Sequence, residues 1–208
     1  MNSFINAFGI KNIHVSSNQI FILNAFILLT ILAFILACIT GSINISLRDL
    51  FTSSLDDLSR VVLIEIRLPR VILAGLVGAS LGISGAALQG LFRNPLADPG
   101  LIGVSAGAAL GATLVIVLGS NFFGSFALGS FLLPLGAILG AMSVILLLYF
   151  LTKGFGYQGV TYMLLVGIAV NAIAGVGIGI LTFISTDSEL RGLTFWTMGS
   201  FGGVTWPL

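Results

Sequence analysis

Charge is what this sequence has least of. Eight Lys and Arg and seven Asp and Glu make up 7% of its 208 residues, against about 25% in an ordinary soluble domain. So few charges cannot clothe a water-facing surface, which excludes a soluble globular protein. The net charge is +1, and the densest basic cluster is Arg67 with Arg70. A polyanion needs far more, so the expectation is no nucleic acid partner. Cysteine is limited to Cys38 and histidine to His14. A lone cysteine forms no internal disulfide, and neither residue has neighbours at metal-ligand spacing, so no metal and no cofactor are expected.

The scarcity of histidine also disarms two matches to the nucleophile pattern GxSxG, at Gly78-Ala79-Ser80-Leu81-Gly82 and Gly103-Val104-Ser105-Ala106-Gly107. A serine nucleophile needs a strand-to-helix elbow and a histidine base, and the one histidine lies in the amino-terminal tail. The phosphate-cradling pattern GxxxxGK[ST] is missing as well. The chain reads as no enzyme, and any transport it performs must draw its energy from a partner.

What is present is apolar, at 57% of residues. Five windows contain no ionisable side chain: 21–39, 71–92, 101–118, 131–151 and 160–184. Each is close to the ~20 residues with which an α-helix crosses a ~30 Å hydrocarbon core. All fifteen charged residues fall outside these windows, as the cost of a charge at mid-bilayer requires. Lipid offers no partner for backbone amides, so spans are helices or closed barrels, and apolar runs without period-two alternation choose helices. The expected fold is all-α: a polytopic membrane helix bundle with about five transmembrane helices in a single membrane domain, 1–208. The first window, of nineteen uncharged residues, exceeds the 7 to 15 typical of a signal core, so it reads as a retained helix, although Ile35-Leu36-Ala37-Cys38 loosely resembles a lipoprotein cleavage site.

Residues 40–69 form the longest polar connection, read as an outer loop. Within it Leu47, Leu50, Phe51, Leu55, Leu58, Val61 and Val62 recur at helical spacing, which suits an interfacial amphipathic helix. Pro69 marks a helix start, since proline is tolerated in a first turn. The break Arg93-Asn94-Pro95-Leu96-Ala97-Asp98-Pro99-Gly100 must reverse the chain, because Asn-Pro and Asp-Pro both initiate turns. Further turns are expected at 121–130 and 153–159, and 187–193 reads as a polar exit from the fifth span. With the tail inside, the inner loops hold Lys11, Arg93 and Lys153 and the outer ones five arginines, so charge alone leans toward an outside tail.

Small residues recur every fourth position, hence on one helix face: Gly78, Gly82, Ala86 and Gly90, then Gly103, Gly107 and Gly111, then Gly167, Asn171, Gly175 and Gly179. Such stripes let helix backbones approach closely. Gln89 and Asn171 are polar amides within apolar helices, directed either to interhelix hydrogen bonds or to a wet path.

One set of blocks is more specific. Arg67-Leu68-Pro69-Arg70, the run from Gly85 through Gln89, Asn94 and Asp98 to Gly100, the run Leu101 to Ala108, and Trp196 to Val204 together closely resemble the FecCD-type permeases of bacterial ABC importers for iron-siderophores, haem and cobalamin, over about residues 45–208. The resemblance implies a cytoplasmic amino terminus, a multi-pass bacterial inner-membrane location in the lipid bilayer, and about ten spans per subunit. Its implied partners are ATP-binding subunits, an extracytoplasmic substrate-binding protein and a second permease subunit. Arg67 and Arg70 would dock the binding protein, Asn94 and Leu96 would lie in an inner loop closing the cytoplasmic end of the path, and Gly159, Val160 and Thr161 would form the other inner gate. The family is longer than this chain, which stops as a sixth span should begin and so reads as a truncated permease. Two other classes stay open: a non-transporting membrane scaffold, and an ion-coupled carrier or channel.

Overall fold

The computed structural model describes residues 16–41, 43, 56–123, 129–155 and 159–206. The described residues are helical with short connections: α1 (Ser17–Ile39), α2 (Asp57–Phe92), a 3-10 turn (Pro99–Ile102), α3 (Val104–Phe123), α4 (Gly129–Thr152), α5 (Gly159–Ile184) and α6 (Asp187–Met198). The all-α bundle is what the composition predicts. Four helices, α1, α2, α4 and α5, are long and apolar enough to cross a membrane, and α3 adds a shorter apolar stretch, Val104–Gly119. The chain is a multi-pass membrane protein. Lys11, Arg48 and the periodic positions Leu47, Leu50, Phe51 and Leu55 lie outside the described residues.

Two compact units divide the chain, residues 1–75 with 202–208, and residues 76–201. In the first, α1 opens on a capping box: the Ser16 hydroxyl accepts from the Gln19 N–H at 3.3 Å, and the Gln19 side chain accepts from the Ser16 N–H at 2.9 Å. Close approach to α2 falls at Gly75, where an added Cβ would lie 2.5 Å from the Phe34 ring.

The helix α2 begins at Asp57 and runs straight through Pro69, which is therefore interior to the helix and not its start. Local geometry explains how. Residues Val62–Arg67 form a π-turn, in which the Leu68 N–H reaches the Leu63 carbonyl five residues back. Proline lacks an N–H and its ring crowds the carbonyl of the preceding turn, and widening that turn relieves the clash. Pro69 cannot supply the next bond of the π register, to the Ile64 carbonyl, so that oxygen needs another donor. The indole Nε1–H of Trp206 supplies it, at 2.7 Å.

The second unit is built around α3. Gly107 and Gly111 of α3 meet Gly140 and Gly136 of α4 backbone to backbone: a Cβ at Gly111 would sit 2.2 Å from the Gly136 carbonyl oxygen, and one at Gly140 2.2 Å from that of Gly107. Two small residues four apart on each helix thus make one tight crossing, as close packing between apolar helices demands. Around it lie two apolar clusters, Ile102, Val144 and Leu148, and Val117, Leu181 and Leu193. Thr113, 2% exposed, spends its hydroxyl on the Ala109 carbonyl. The stretch 187–193, expected as a polar exit, opens α6 instead. Thr186 and Glu189 form its capping box, and the helix buries Leu193 in the second cluster.

The small-residue stripes divide sharply. Gly107 and Gly111 pack as their spacing predicts. An added Cβ at Gly78, Gly82, Gly90, Gly175 or Gly179 would meet open space within 4 Å among the described residues, and Ala86 is exposed.

Candidate functional site

The connection from α2 to α3 is fixed residue by residue. The helix α2 ends in a Schellman motif, with the Asn94 N–H reaching back to the Gln89 carbonyl at 3.2 Å and the Arg93 N–H to that of Gly90 at 3.4 Å. Its left-handed position is Arg93, at φ 48°, where glycine is usual. Asn94 then turns the chain twice. Its side-chain oxygen accepts from the Leu96 N–H at 2.9 Å, and its carbonyl from the Ala97 N–H at 3.1 Å. Asp98 repeats the device, its carboxylate accepting from the Gly100 N–H at 2.8 Å and its carbonyl from the Leu101 N–H at 3.1 Å. Asn-Pro and Asp-Pro foretold turns; the side-chain bonds are what hold them.

Two side chains from the flanking helices reach the same segment. Gln89 donates through Nε2 to the Pro95 carbonyl at 3.1 Å, and Asn171 of α5 donates through Nδ2 to the Gly100 carbonyl at 3.0 Å. Gly167, one turn before Asn171, leaves room for the backbone: a Cβ there would lie 2.3 Å from the Leu101 carbonyl oxygen. Gly103, at φ 86°, turns the chain into α3 beside Val170. Gly103 and Gly167 thus accommodate a non-helical segment and are not simple helix-to-helix contacts. The helix α3 begins at Val104, so residues 101 and 102 of the third apolar window belong to the 3-10 turn.

At 1.5 Å per residue, Gly167 and Asn171 stand ~12 and ~18 Å along α5 from its first residue, Gly159. The irregular backbone of residues 98–103 therefore sits well inside the span. Non-helical backbone at that depth is stable where protein buries it or where it lines water. Ile102 and Gly103 are buried, while Asp98, Pro99, Gly100 and Leu101 are exposed. Leu96, at the outer bend of the segment, is 86% exposed.

The other expected gate residues, Gly159, Val160 and Thr161, form the first turn of α5. Across this turn the Phe155 ring, which precedes α5, packs on that of Tyr162 with centroids 4.2 Å apart, and the Lys153 ammonium lies 5.0 Å from the Phe150 ring centroid. Asn94 and Leu96 share one loop, and what ties that connection to α5 is the Asn171 amide and the Gly167 gap, not a bond to the first turn. Spacing placed Asn171 on the packing stripe with Gly175 and Gly179; its amide type was the sign of a different task.

In the first unit, Arg67 and Arg70 line one cleft of about 340 Å³, together with Ala37, Thr40, Val62 and Ile66. The two arginines differ in kind. Arg67 is 8% exposed. Its Nη1 donates to the Cys38 and Ile39 carbonyls at 2.8 Å each, and its Nη2 to the Ile43 carbonyl. It caps the carboxyl end of α1, where unpaired carbonyls and the helix dipole both favour a cation. Arg70 is exposed. Of the pair expected to dock a partner, only Arg70 presents its side chain outward.

A family-wide sequence model, that of the FecCD transport family, matches residues 29–208. The chain belongs to the FecCD transport family. It is 43% identical over 166 residues to the hemin transport system permease protein of Yersinia pestis, covering 80% of this chain and 49% of that protein. It is 40% identical over 178 residues to the vitamin B12 import system permease protein of Shigella boydii, covering 86% and 51%. Among solved structures it is similar to a chain from an inward-facing structure assigned to a metal-chelate type ABC transporter, at 32% identity and a TM-score of 0.72, covering 89% of this chain and 55% of that one. The chain spans about half the length of the curated relatives it matches.

Proposed function

We propose that this FecCD-family chain forms part of the membrane-spanning permease of an ATP-driven bacterial importer, residing in the inner membrane and carrying a metal chelate. The observation that carries this reading is the irregular backbone of residues 98–103, seated against the middle of α5 with Asp98 and Gly100 exposed. A scaffold helix bundle has no use for non-helical backbone there, whereas a path for a polar cargo does. Relatives named for hemin and vitamin B12 import and a neighbour of metal-chelate type favour a bulky chelate. An iron-siderophore belongs to the same chemical class. The five uncharged windows hold no ionisable side chain on which an ion-coupled carrier could run.

In this reading ATP is hydrolysed on separate partner subunits, and a second permease subunit completes the path. A substrate-binding protein docks on the outer face, where Arg70 offers a guanidinium able to engage a carboxylate with two parallel hydrogen bonds. Asn94 and Leu96, with Gly159, Val160 and Thr161, form the inner end, and alternating access moves the helices that bear them. The test is uptake into proteoliposomes holding this protein with candidate ATP-binding subunits and a candidate substrate-binding protein, using hemin, cobalamin and a ferric siderophore. ATP-dependent accumulation of one of them is expected. Accumulation driven by a proton or sodium gradient without ATP would overturn the proposal.

A further inference from the structure

Two amides within the apolar helices, Gln89 and Asn171, spend their NH2 groups on the same stretch of chain. Gln89 holds the Pro95 carbonyl at 3.1 Å, and Asn171, 71 residues from its partner, holds the Gly100 carbonyl at 3.0 Å. Both acceptors belong to backbone outside any regular α-helix, and a carbonyl left without a donor in an apolar setting is costly. The Gly100 residue is gripped from both sides, its N–H by the Asp98 carboxylate and its carbonyl by Asn171. Opposite it, α5 presents Gly167, where any side chain would collide with the Leu101 carbonyl. The surface of α5 is thus shaped to seat the segment and supplies one hydrogen bond to fix it.

We infer that Asn171 and Gln89 are positioning residues of the inner gate: Gln89 ties the segment to the end of α2, and Asn171 ties it to the middle of α5. The inference rests on the reading of residues 93–103 as the inner end of a transport path. Its mechanical content is that the gate loop and α5 move together. A shift of α5 either carries the Gly100 peptide with it or breaks the Asn171 bond. Asn171 touches no cargo in this scheme; it sets where Leu96 and its neighbours stand.

The test uses the full chain in liposomes with Cys38→Ser, carrying a nitroxide at Leu101→Cys for the Asn171 contact or at Leu96→Cys for the Gln89 contact. A third label at Val176→Cys, on the exposed face of α5, reports whether the helix itself is intact. Asn171→Leu is expected to abolish the slow-motion component at position 101 while leaving position 176 unchanged, and Asn171→Gln to restore part of it. Gln89→Leu is expected to do the same at position 96. Should Asn171→Leu disturb position 176, Asn171→Ala, which removes the donor without adding bulk, decides in its place. An unchanged spectrum at position 101 with the α5 label intact overturns the inference. Released labels with ATP-driven uptake unaltered would overturn the gating role. Failure of the importer reading itself would look different, as absence of ATP-driven uptake by the unaltered protein while the labels still respond.

Discussion

Replacing Gly111 with alanine tests the reading of the α3–α4 crossing most directly. The added methyl would start 2.2 Å from the Gly136 carbonyl oxygen and 3.2 Å from the Gly140 Cα, both backbone atoms, whereas ordinary contact begins at 3.4 Å. No rotamer change relieves a backbone clash, so the helices must part by roughly 1 Å. A gap of ~0.5–1 Å forfeits about a quarter to a half of each van der Waals contact along the seam. Overpacking of this kind costs about 1–3 kcal/mol, and partial loss of the seam raises the expectation to the upper part of that range. The contrast is Gly82→Ala, where the new methyl meets open space and helix propensity favours alanine by up to about 1 kcal/mol. Both variants can be unfolded reversibly by SDS titration in bicelles and followed by the fluorescence of the two tryptophans. A difference of ~2–3 kcal/mol corresponds to roughly 30- to 150-fold in the unfolding equilibrium. Equal midpoints for Gly111→Ala and Gly82→Ala would refute the argument that backbone contact, and not the glycine stripe as such, holds these helices.

Arg67→Ala strands the carbonyls of Cys38, Ile39 and Ile43 and is expected to cost about 3 kcal/mol in the same titration, since hydrogen bonds from a charged group contribute about 1.5–3 kcal/mol. Arg70→Ala, at an exposed position, should stay within about 0.5 kcal/mol of the parent; Arg70→Glu should nonetheless weaken binding-protein capture by the reconstituted permease, and unchanged capture would remove Arg70 from the docking surface. Trp206→Phe keeps an aromatic ring and deletes the donor to the Ile64 carbonyl, so a loss of about 1–3 kcal/mol is expected, largely abolished when Pro69→Ala restores a backbone N–H to the π-turn. Arg93→Gly relieves a left-handed non-glycine residue and should raise stability by about 1 kcal/mol, with no gain if the Schellman turn is absent.

Much of the molecule is legible without coordinates. Uncharged runs of membrane-spanning length admit one solution in lipid, helices, and the few charges mark the ends of the spans. Asn94-Pro95 and Asp98-Pro99 announce a reversal because their side chains and rings restrict the backbone locally. The blocks around Arg67, Gln89 and Trp196 carry the family. All of these signals are local: each depends on a residue and its near neighbours in sequence.

Only the tertiary structure decides which groups meet. A stripe of glycines states that residues share a helix face; it does not state which face finds another backbone, so Gly107 and Gly111 pack while Gly78 and Gly82, with the same pattern, meet open space among the described residues. Arg67 and Arg70 stand three residues apart in one motif, yet the end of α1 takes up the first and leaves the second exposed. Pro69 looked like a helix start because the pattern cannot show a π-turn before it or an indole 142 residues from its acceptor, Ile64, completing the bonds that proline leaves open. Asn171 was visible as an odd amide among glycines, but its partner is a carbonyl, and every residue has one. The sequence by itself determined a membrane helix bundle, because solvent and local backbone chemistry leave no alternative, and its motif blocks carried the resemblance to the family. The tertiary structure alone decided which donor reaches which acceptor, because hydrogen bonds and close contacts depend on distances in space that spacing along the chain does not encode.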